Sequence, residues 1–482
     1  MYNTALFAQT TGLRLLQDVV LTYKTQFSAF ALPQALLDTL ESLAFHQPTP
    51  VQAESLPVIL AGKDLLAQAA TGSGKTAAFA LGILSKLNVK HFRVQSLVLC
   101  PTRELAEQVA TEIRTLARSI HNIKVLTLCG GVPTKGQTLS LEHGAHIIVG
   151  TPGRVLDHLQ QQHLQLDELS ILVLDEADRM LEMGFADEMQ QIIAAAPAER
   201  QQLLFSATFA PAVKKLADAL LKAPEQVIID SPKAKTSISQ EFYLVEDSSA
   251  RAAATIRLLF AKMPSSCVVF ANTRKEVQSL TEQLKQAGFS VAALHGDLEQ
   301  RDREQQLLQF ANGSLQVLVA TDVAARGLDI EKLDLVLNYE LAHDTDTHIH
   351  RIGRTGRAGE QGVACTLYTE QDGYKLGLLE DAFEQDITPL PLPLTQNAKA
   401  PLPAMITIEI DGGKKQKLRP ADIVGALTRD EQVAFADIGK IQLQESRAYV
   451  AVKRSAFKAA LQQLNNSKMK GRSFRAYRLT PA

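Results

Sequence analysis

The sequence predicts an α/β protein: two tandem domains, each a parallel sheet wrapped by helices, followed by a small α+β module. Three observations carry this. Continuous apolar runs such as "ILVL" (Ile171 to Leu174), "SCVVFANTR" and "LQVLVATD" read as strands buried on both faces, and they alternate with helical patterns. That alternation occurs on both sides of "SPKAKTS" (Ser231 to Ser237), a polar stretch with a proline that reads as a linker. Beyond "ITPLPLPLTQNAKAPLP" (Ile387 to Pro403), too proline-rich for a core element, strand and helix patterns resume in a new order.

The expected boundaries are an N-terminal extension over 1–26, a first domain over 27–230 and a second over 238–385. A semi-rigid linker over 386–403 and a terminal module over 404–482 follow. A chain of 482 residues exceeds a single hydrophobic core, which agrees with three domains. No stretch approaches the ~18 apolar residues needed to span a bilayer, and Thr4 to Leu21 lacks the marks of a secretory leader. Cys100, Cys129, Cys267 and Cys365 lie far apart, beside apolar runs and in no metal spacing, so reduced buried thiols in a cytosolic protein are expected. The net charge of -2 hides an asymmetry. Residues 401–482 hold 15 Lys/Arg against 7 Asp/Glu, a charge of +8, whereas the preceding 400 carry -10. A basic tail on an acidic body fits a nucleic-acid contact, or simply a solvated surface.

The chemistry starts from "ILVLDEADRM", where a buried strand runs into Asp175, Glu176 and Asp178. Ligand sites of open parallel sheets lie beyond the carboxyl ends of such strands, so these acids need a cation. Upstream, "DLLAQAATGSGKTAAFALGIL" gives an apolar run, a glycine turn and a helical pattern beginning near Lys75. Gly74, Lys75 and Thr76 fit the phosphate-binding pattern, although its first glycine position holds Ala69. Backbone N–H groups of Gly72, Ser73, Gly74 and Lys75 at the helix start would cradle a β-phosphate, and Lys75 would reach the β and γ oxygens. Thr76 would hold Mg²⁺ with Asp175, and Glu176 would orient the water that attacks the γ-phosphate.

Seven motifs in order then make the resemblance specific: "ATGSGKT" with Thr71, "PTRELA" (Pro101 to Ala106), "TPGR" (Thr151 to Arg154), "DEAD" (Asp175 to Asp178), "SAT" (Ser206 to Thr208), "ATDVAARGLDI" (Ala320 to Ile330) and "HRIGRTGR" (His350 to Arg357). Over roughly residues 27–385 the chain resembles the DEAD-box RNA helicases. The resemblance implies two RecA-like domains closing over ATP and RNA. It also implies that Gln52 in "AFHQPTPVQ" and Phe27 select adenine, by a bidentate amide contact and by stacking; packing alone is an equally open reading of Phe27. The motif's usual leading glycine is Ala44 here. Arg354 and Arg357 become arginine fingers, Asp329 meets the ribose, and Asp178, Ser206, Thr208 and His350 form a coupling network. Arg103, Gly131, Thr151, Gly153 and Arg154 in the first domain, with Arg274, Arg303 and Thr321 in the second, match positions that grip an RNA backbone.

In the tail, the order strand, helix, two strands, helix, strand fits an RRM-like fold. Stacking aromatics are scarce: the first strand offers Ile406 and Ile408 at the expected positions and the third only Tyr449. Lys414, Lys415, Lys417, Arg419, Arg447, Lys453, Lys470 and Arg472 are the better candidates for RNA contact. The wording "IDGGKKQKLRPADIVGAL" with "KMKGRSFRAYRL" resembles the RNA-binding module of the DbpA subfamily. That implies direction to a hairpin of 23S rRNA and assistance to large-subunit assembly in pre-50S particles. The expectation is therefore a cytoplasmic, monomeric, RNA-stimulated ATPase using ATP and Mg²⁺, with no membrane or DNA partner. A general RNA helicase with a loosely binding tail and an ATP-gated RNA clamp are the alternatives.

Overall fold

The computed structural model describes residues 26–70, 72–229, 238–325, 333–356, 362–394 and 399–480. The stretch 231–237 expected to link the first two domains lies outside them, as does almost all of the N-terminal extension. Two compact units are formed, the first before that stretch and the second after it.

In the first unit, β1 (Leu65–Gln68), β2 (Ser96–Leu99), β3 (Val125–Leu128), β4 (Ile147–Gly150), β5 (Ile171–Leu174), β6 (Gln201–Ser206) and β7 (Glu225–Ile228) make one sheet. Their order is β3-β4-β2-β5-β6-β1-β7, all parallel. Residues alternate between two cores: Val98, Val173 and Phe205 enter one, while Leu97, Leu172 and Leu204 enter the other. A strand covered on both faces by helices has no solvent side, which is why its sequence is apolar throughout. The helices Pro50–Leu60 and Lys75–Lys86 approach closely, because a Cβ added at Gly82 would overlap Ile59 Cγ2.

The second unit opens with β8 (Ile238–Leu244), β9 (Cys267–Phe270), β10 (Val291–Leu294), β11 (Val317–Ala320), β12 (Leu335–Asn338) and β13 (Gly362–Tyr368). They form a parallel sheet in the order β10-β11-β9-β12-β13-β8. The proline-rich segment that follows is tied down as a strap. Leu390 N–H donates to Phe242 O at 2.7 Å, Arg257 Nε donates to Pro393 O at 3.0 Å, and Leu392 and Ala400 pack on the domain core.

The tail contributes β14 (Met405–Ile410), β15 (Ile438–Leu443), β16 (Ala448–Lys453), β17 (Lys468–Met469), β18 (Arg472–Ser473) and β19 (Ala476–Arg478). Four of these make an antiparallel sheet ordered β15-β16-β14-β19, with helices Pro420–Leu427 and Phe457–Asn466 between strands as the RRM-like order requires; β17 and β18 add a small hairpin. One expectation is corrected by register. Ile408 and Ile410 enter the module's core with Val450, Val452, Ile423 and Leu464, and Ile406 shares their side of the strand. The opposite face therefore presents Thr407 and Glu409, not the isoleucines, because side chains alternate at every residue.

Gly82→Ala should cost about 1–3 kcal/mol by forcing apart the two helices that flank the glycine turn. A lowered denaturant midpoint with an unchanged slope would register it.

Candidate nucleotide and RNA sites

The glycine turn follows β1, and Gly72 (φ 78°) and Gly74 (φ 93°) adopt left-handed backbone that other residues rarely take. Gly74 caps helix Lys75–Lys86, so its first-turn N–H groups point into the turn. Ala69 N–H donates to Ser206 O at 3.0 Å, and the buried Lys75 Nζ donates to Ala69 O at 2.9 Å. Alanine serves at the first pattern position because no left-handed φ is needed there. Gln52 braces the turn from outside: Nε2 donates to Gly74 O at 3.0 Å and Oε1 accepts from Thr49 N–H at 2.9 Å. Its helix follows Ala44, which takes φ 60°, so the glycine-like turn forms with alanine in a conformation that costs roughly 1–2 kcal/mol. Phe27, expected to stack on a base, packs instead in the core beside Phe30 and is 4 % exposed, which is the packing alternative.

Three carboxylates close the other side. Asp175 follows β5 and is 2 % exposed, and its Oδ1 has no hydrogen-bond partner among the described residues. Burial pushes its carboxyl up to about 7; Lys75 opposes the shift and Glu176 and Asp178 add to it. Glu176 sits in left-handed backbone at φ 52°, with Arg179 Nε 3.9 Å from Oε2. Asp178 Oδ2 accepts from Ala207 N at 3.1 Å, Thr208 N at 3.0 Å and Thr208 Oγ1 at 3.3 Å, while Ser206 Oγ donates to Thr208 O at 2.7 Å. The acidic strand end, the "SAT" loop and the glycine turn are thus one bonded body across the adjacent strands β5, β6 and β1. A buried carboxylate oxygen without a donor, next to a lysine and a threonine-bearing helix start, fits a hard divalent cation.

The first-domain RNA candidates lie just beyond the ends of three neighbouring strands, β2, β4 and β3. Arg103 opens helix Arg103–Leu116, Gly131 follows β3 with φ 76°, and Thr151 caps helix Pro152–Gln160, which carries Gly153 and Arg154 in its first turn. A Cβ at Gly153 would meet nothing within 4 Å, so this turn is open to a close approach. Arg154 is oriented by Val132 O at 3.1 Å and Gln137 Oε1 at 3.2 Å.

The second domain repeats the placement beyond β9, β10 and β11. Arg274, exposed at the start of helix Arg274–Gln286, pairs with Asp297; Arg303 donates to Ala324 O at 3.0 Å; Thr321 follows β11. Arg354 is buried, and His350 is half-buried on helix Thr345–Ile352. Thr71, Asp329 and Arg357 lie outside the described residues.

Sequence reasoning passed over Arg351. Its guanidinium takes both oxygens of Asp322 at 2.6 and 2.7 Å, Asn272 Oδ1 at 2.7 Å and Glu340 O at 2.9 Å, over the Phe270 ring. It fastens the arginine-rich helix to three strand ends; the clue was a third arginine in a motif that needs two for phosphate.

In the tail, Lys414, Lys415, Lys417 and Arg419 are exposed at the start of helix Pro420–Leu427, and Lys470 and Arg472 project from the β17–β18 hairpin. Lys470 Nζ lies 3.5 Å from Asp422 on that helix, which makes the two groups one basic surface. Lys453 is set apart, 3.0 Å from Asp437. Two expectations are corrected: Tyr449 is 2 % exposed, packed on Leu308 and Leu479, and Arg447 pairs with buried Glu409, so neither is free to take RNA. All four cysteines are buried and unbridged, with burial pushing the thiols up, to about 12 for Cys129.

Fold and site together define a nucleotide hydrolase built on two parallel-sheet domains. The family model for DEAD/DEAH box helicases matches residues 49–216, that for the helicase conserved C-terminal domain residues 250–359, and that for the DbpA RNA binding domain residues 407–478. The chain is 50 % identical to the ATP-dependent RNA helicase DbpA of Escherichia coli over 452 residues, 94 % of this chain and 99 % of that one. It is 41 % identical to the ATP-dependent RNA helicase CshA of Geobacillus kaustophilus over 348 residues, 72 % and 74 % of the two chains. The solved structure of Dbp5 from S. cerevisiae bound to RNA and ADP BeF3 superposes with a TM-score of 0.70 at 31 % identity, covering 76 % of this chain and 96 % of that one. The chain belongs to the DEAD-box ATP-dependent RNA helicases, as a DbpA-like member carrying the DbpA RNA-binding domain.

The raised Asp175 pKa has a stability consequence. A carboxyl whose folded pKa lies above its unfolded value binds its proton more tightly when folded, so stability falls as pH rises from about 4 through about 7. Asp175→Asn should therefore raise the melting temperature by a few degrees at pH 8, and the gain should shrink as pH is lowered to 5.

Proposed function

We propose that this RNA helicase is directed by its basic tail to 23S rRNA in assembling large ribosomal subunits in the cytoplasm, and separates short duplexes beside that anchor. The observation that carries the ATPase half is Asp175, buried with an unpartnered oxygen beside the lysine of the glycine turn. The match of residues 407–478 to the DbpA RNA binding domain supports the rRNA half.

In this reading the catalytic unit is the body over 27–230, joined by the one over 238–385, with 386–403 as strap and 404–482 as RNA anchor. Gly72, Ser73 and Gly74 cradle the phosphates, Lys75 neutralises the β and γ oxygens, and Gln52 chooses adenine. Thr76 and Asp175 would hold Mg²⁺, which would supply charge neutralisation to the phosphates. Glu176 orients the attacking water and accepts its proton, and Asp178 with Ser206 and Thr208 passes the state of the γ-phosphate along the strand ends. Arg354 and Arg357 complete the charge from the second domain, so hydrolysis depends on closure. Arg103, Gly131, Thr151, Gly153 and Arg154 with Arg274, Arg303 and Thr321 grip RNA by its backbone, which carries no base information. Specificity is then left to the tail.

ATP turnover measured with no RNA, an unrelated RNA and a 23S rRNA fragment carrying the hairpin tests this. The fragment should stimulate at least tenfold better than unrelated RNA, and Lys415→Glu with Arg472→Glu, both exposed, should erase that preference alone. Equal stimulation by both RNAs would leave a general RNA helicase and defeat the rRNA assignment.

A further inference from the structure

The face of the tail sheet lies against the second sheet domain: Gln305 Nε2 donates to Tyr449 Oη at 3.3 Å, and Asn312 Nδ2 donates to Thr407 Oγ1 at 2.8 Å. Beside these contacts the two surfaces part and leave a cleft of about 140 Å³. From the domain it is lined by Phe289, which precedes β10, and by Gln309 near the end of helix Gln300–Ala311. From the tail come Met405 at the start of β14, Arg454 just after β16 and Arg478 at the end of β19. The cleft is separate from both sets of RNA candidates. Arg274 and Thr321 follow the carboxyl ends of β9 and β11, whereas the cleft lies toward the amino ends of β10 and β14, and Lys414 to Arg419 follow the far end of β14.

Three features point to a ligand. Gln309 is 2 % exposed, yet its side-chain amide makes no hydrogen bond among the described residues. A buried amide left unpaired is costly, and whichever way this one is turned it offers the cleft both donors and an acceptor. The second feature is charge. Arg454 donates through Nε to Pro403 O at 2.9 Å, Arg478 lies 6.0 Å from the centre of the Phe457 ring, and among the described residues neither is in an ion pair. No Asp or Glu lines the cleft. A water molecule would satisfy the amide but not the two guanidinium groups, whose natural partner is phosphate. The third feature is size: a space of this volume takes one aromatic ring, and Phe289 and Met405 give that ring apolar surface to lie on.

We infer that the cleft is a site for one pyrimidine nucleotide unit. Its ring lies against Phe289 and Met405, its base edge exchanges two hydrogen bonds with Gln309, and its 5′-phosphate meets Arg454 and Arg478. Uracil presents N3–H beside O4, and cytosine presents N3 beside its amino group, so either edge matches a carboxamide. A second fused ring exceeds the space. The unit comes from a free mononucleotide or from a single-stranded stretch of bound RNA, and its chemistry at the cleft is the same in both cases. Nothing in this depends on which RNA the basic edge of the tail anchors.

Photo-cross-linking of the full chain tests it, with 5-bromouridine 5′-monophosphate as one probe and a short unstructured RNA carrying one 5-bromouridine as the other; the bromine leaves the base edge intact. Irradiation should attach a probe to the peptide containing Phe289 or Met405. Gln309→Leu, and separately the exposed Arg478→Ala, should each lower that yield at least about fivefold, the loss expected for one hydrogen bond to the ligand. RNA-stimulated turnover should stay within about twofold in both variants. UMP should suppress the adduct, and inorganic phosphate at the same concentration should not. An adduct from the free probe alone identifies a mononucleotide as the occupant, and one from the strand alone identifies RNA; either supports the site. No adduct on these peptides from either probe, an undiminished yield in the variants, or suppression by phosphate equal to that by UMP overturns the inference. Should Gln309→Leu fold poorly, Arg478→Ala, on the surface, decides alone.

Discussion

Three carboxylates within four residues, at the end of a strand with no solvent face, cannot share one fate. Each has its own surroundings: Asp175 lies by Lys75, Glu176 by Arg179, and Asp178 is spent on the N–H groups of Ala207 and Thr208. Asp178 has both carboxylate oxygens hydrogen-bonded to backbone N–H groups. Its bonds and the Ala69 to Ser206 bond fasten three strand ends together, so the glycine turn cannot shift without the acids shifting too. Burial leaves Asp175 costly to ionise without a cation, and in the proposed mechanism that cost makes the site responsive to a metal-bearing triphosphate.

The same economy of placement recurs around the sheets. In both domains the RNA candidates follow neighbouring strands, and helix starts supply N–H groups as well as arginines. Backbone phosphate is the natural ligand for such an edge. The asymmetry lies in the tail, which offers its edge and hairpin to solvent and its sheet to the neighbouring domain.

Much of this was legible because the informative residues are adjacent in sequence. The glycine turn before a helical pattern and the acids after an apolar run fall where the helix Lys75–Lys86 and β5 fall. Contacts between distant residues were not legible. Nothing in "AFHQPTPVQ" shows Gln52 bonded to Gly74, and nothing around Tyr449 shows Gln305, 144 residues away. A strand's register is fixed by which side finds a core, so taking the isoleucines of β14 for the RNA face was an error of one residue that turned over the whole face. Arg351 was passed over because arginine's charge is visible in a sequence and its burial is not.

In the proposed mechanism Glu176 acts on the water while its neighbours hold nucleotide and RNA. Glu176→Gln keeps the shape and removes the base, so steady-state ATP turnover with saturating RNA should fall at least ~100-fold while ATP-dependent RNA binding persists. Turnover at the level of the unmodified enzyme would contradict the account at its centre.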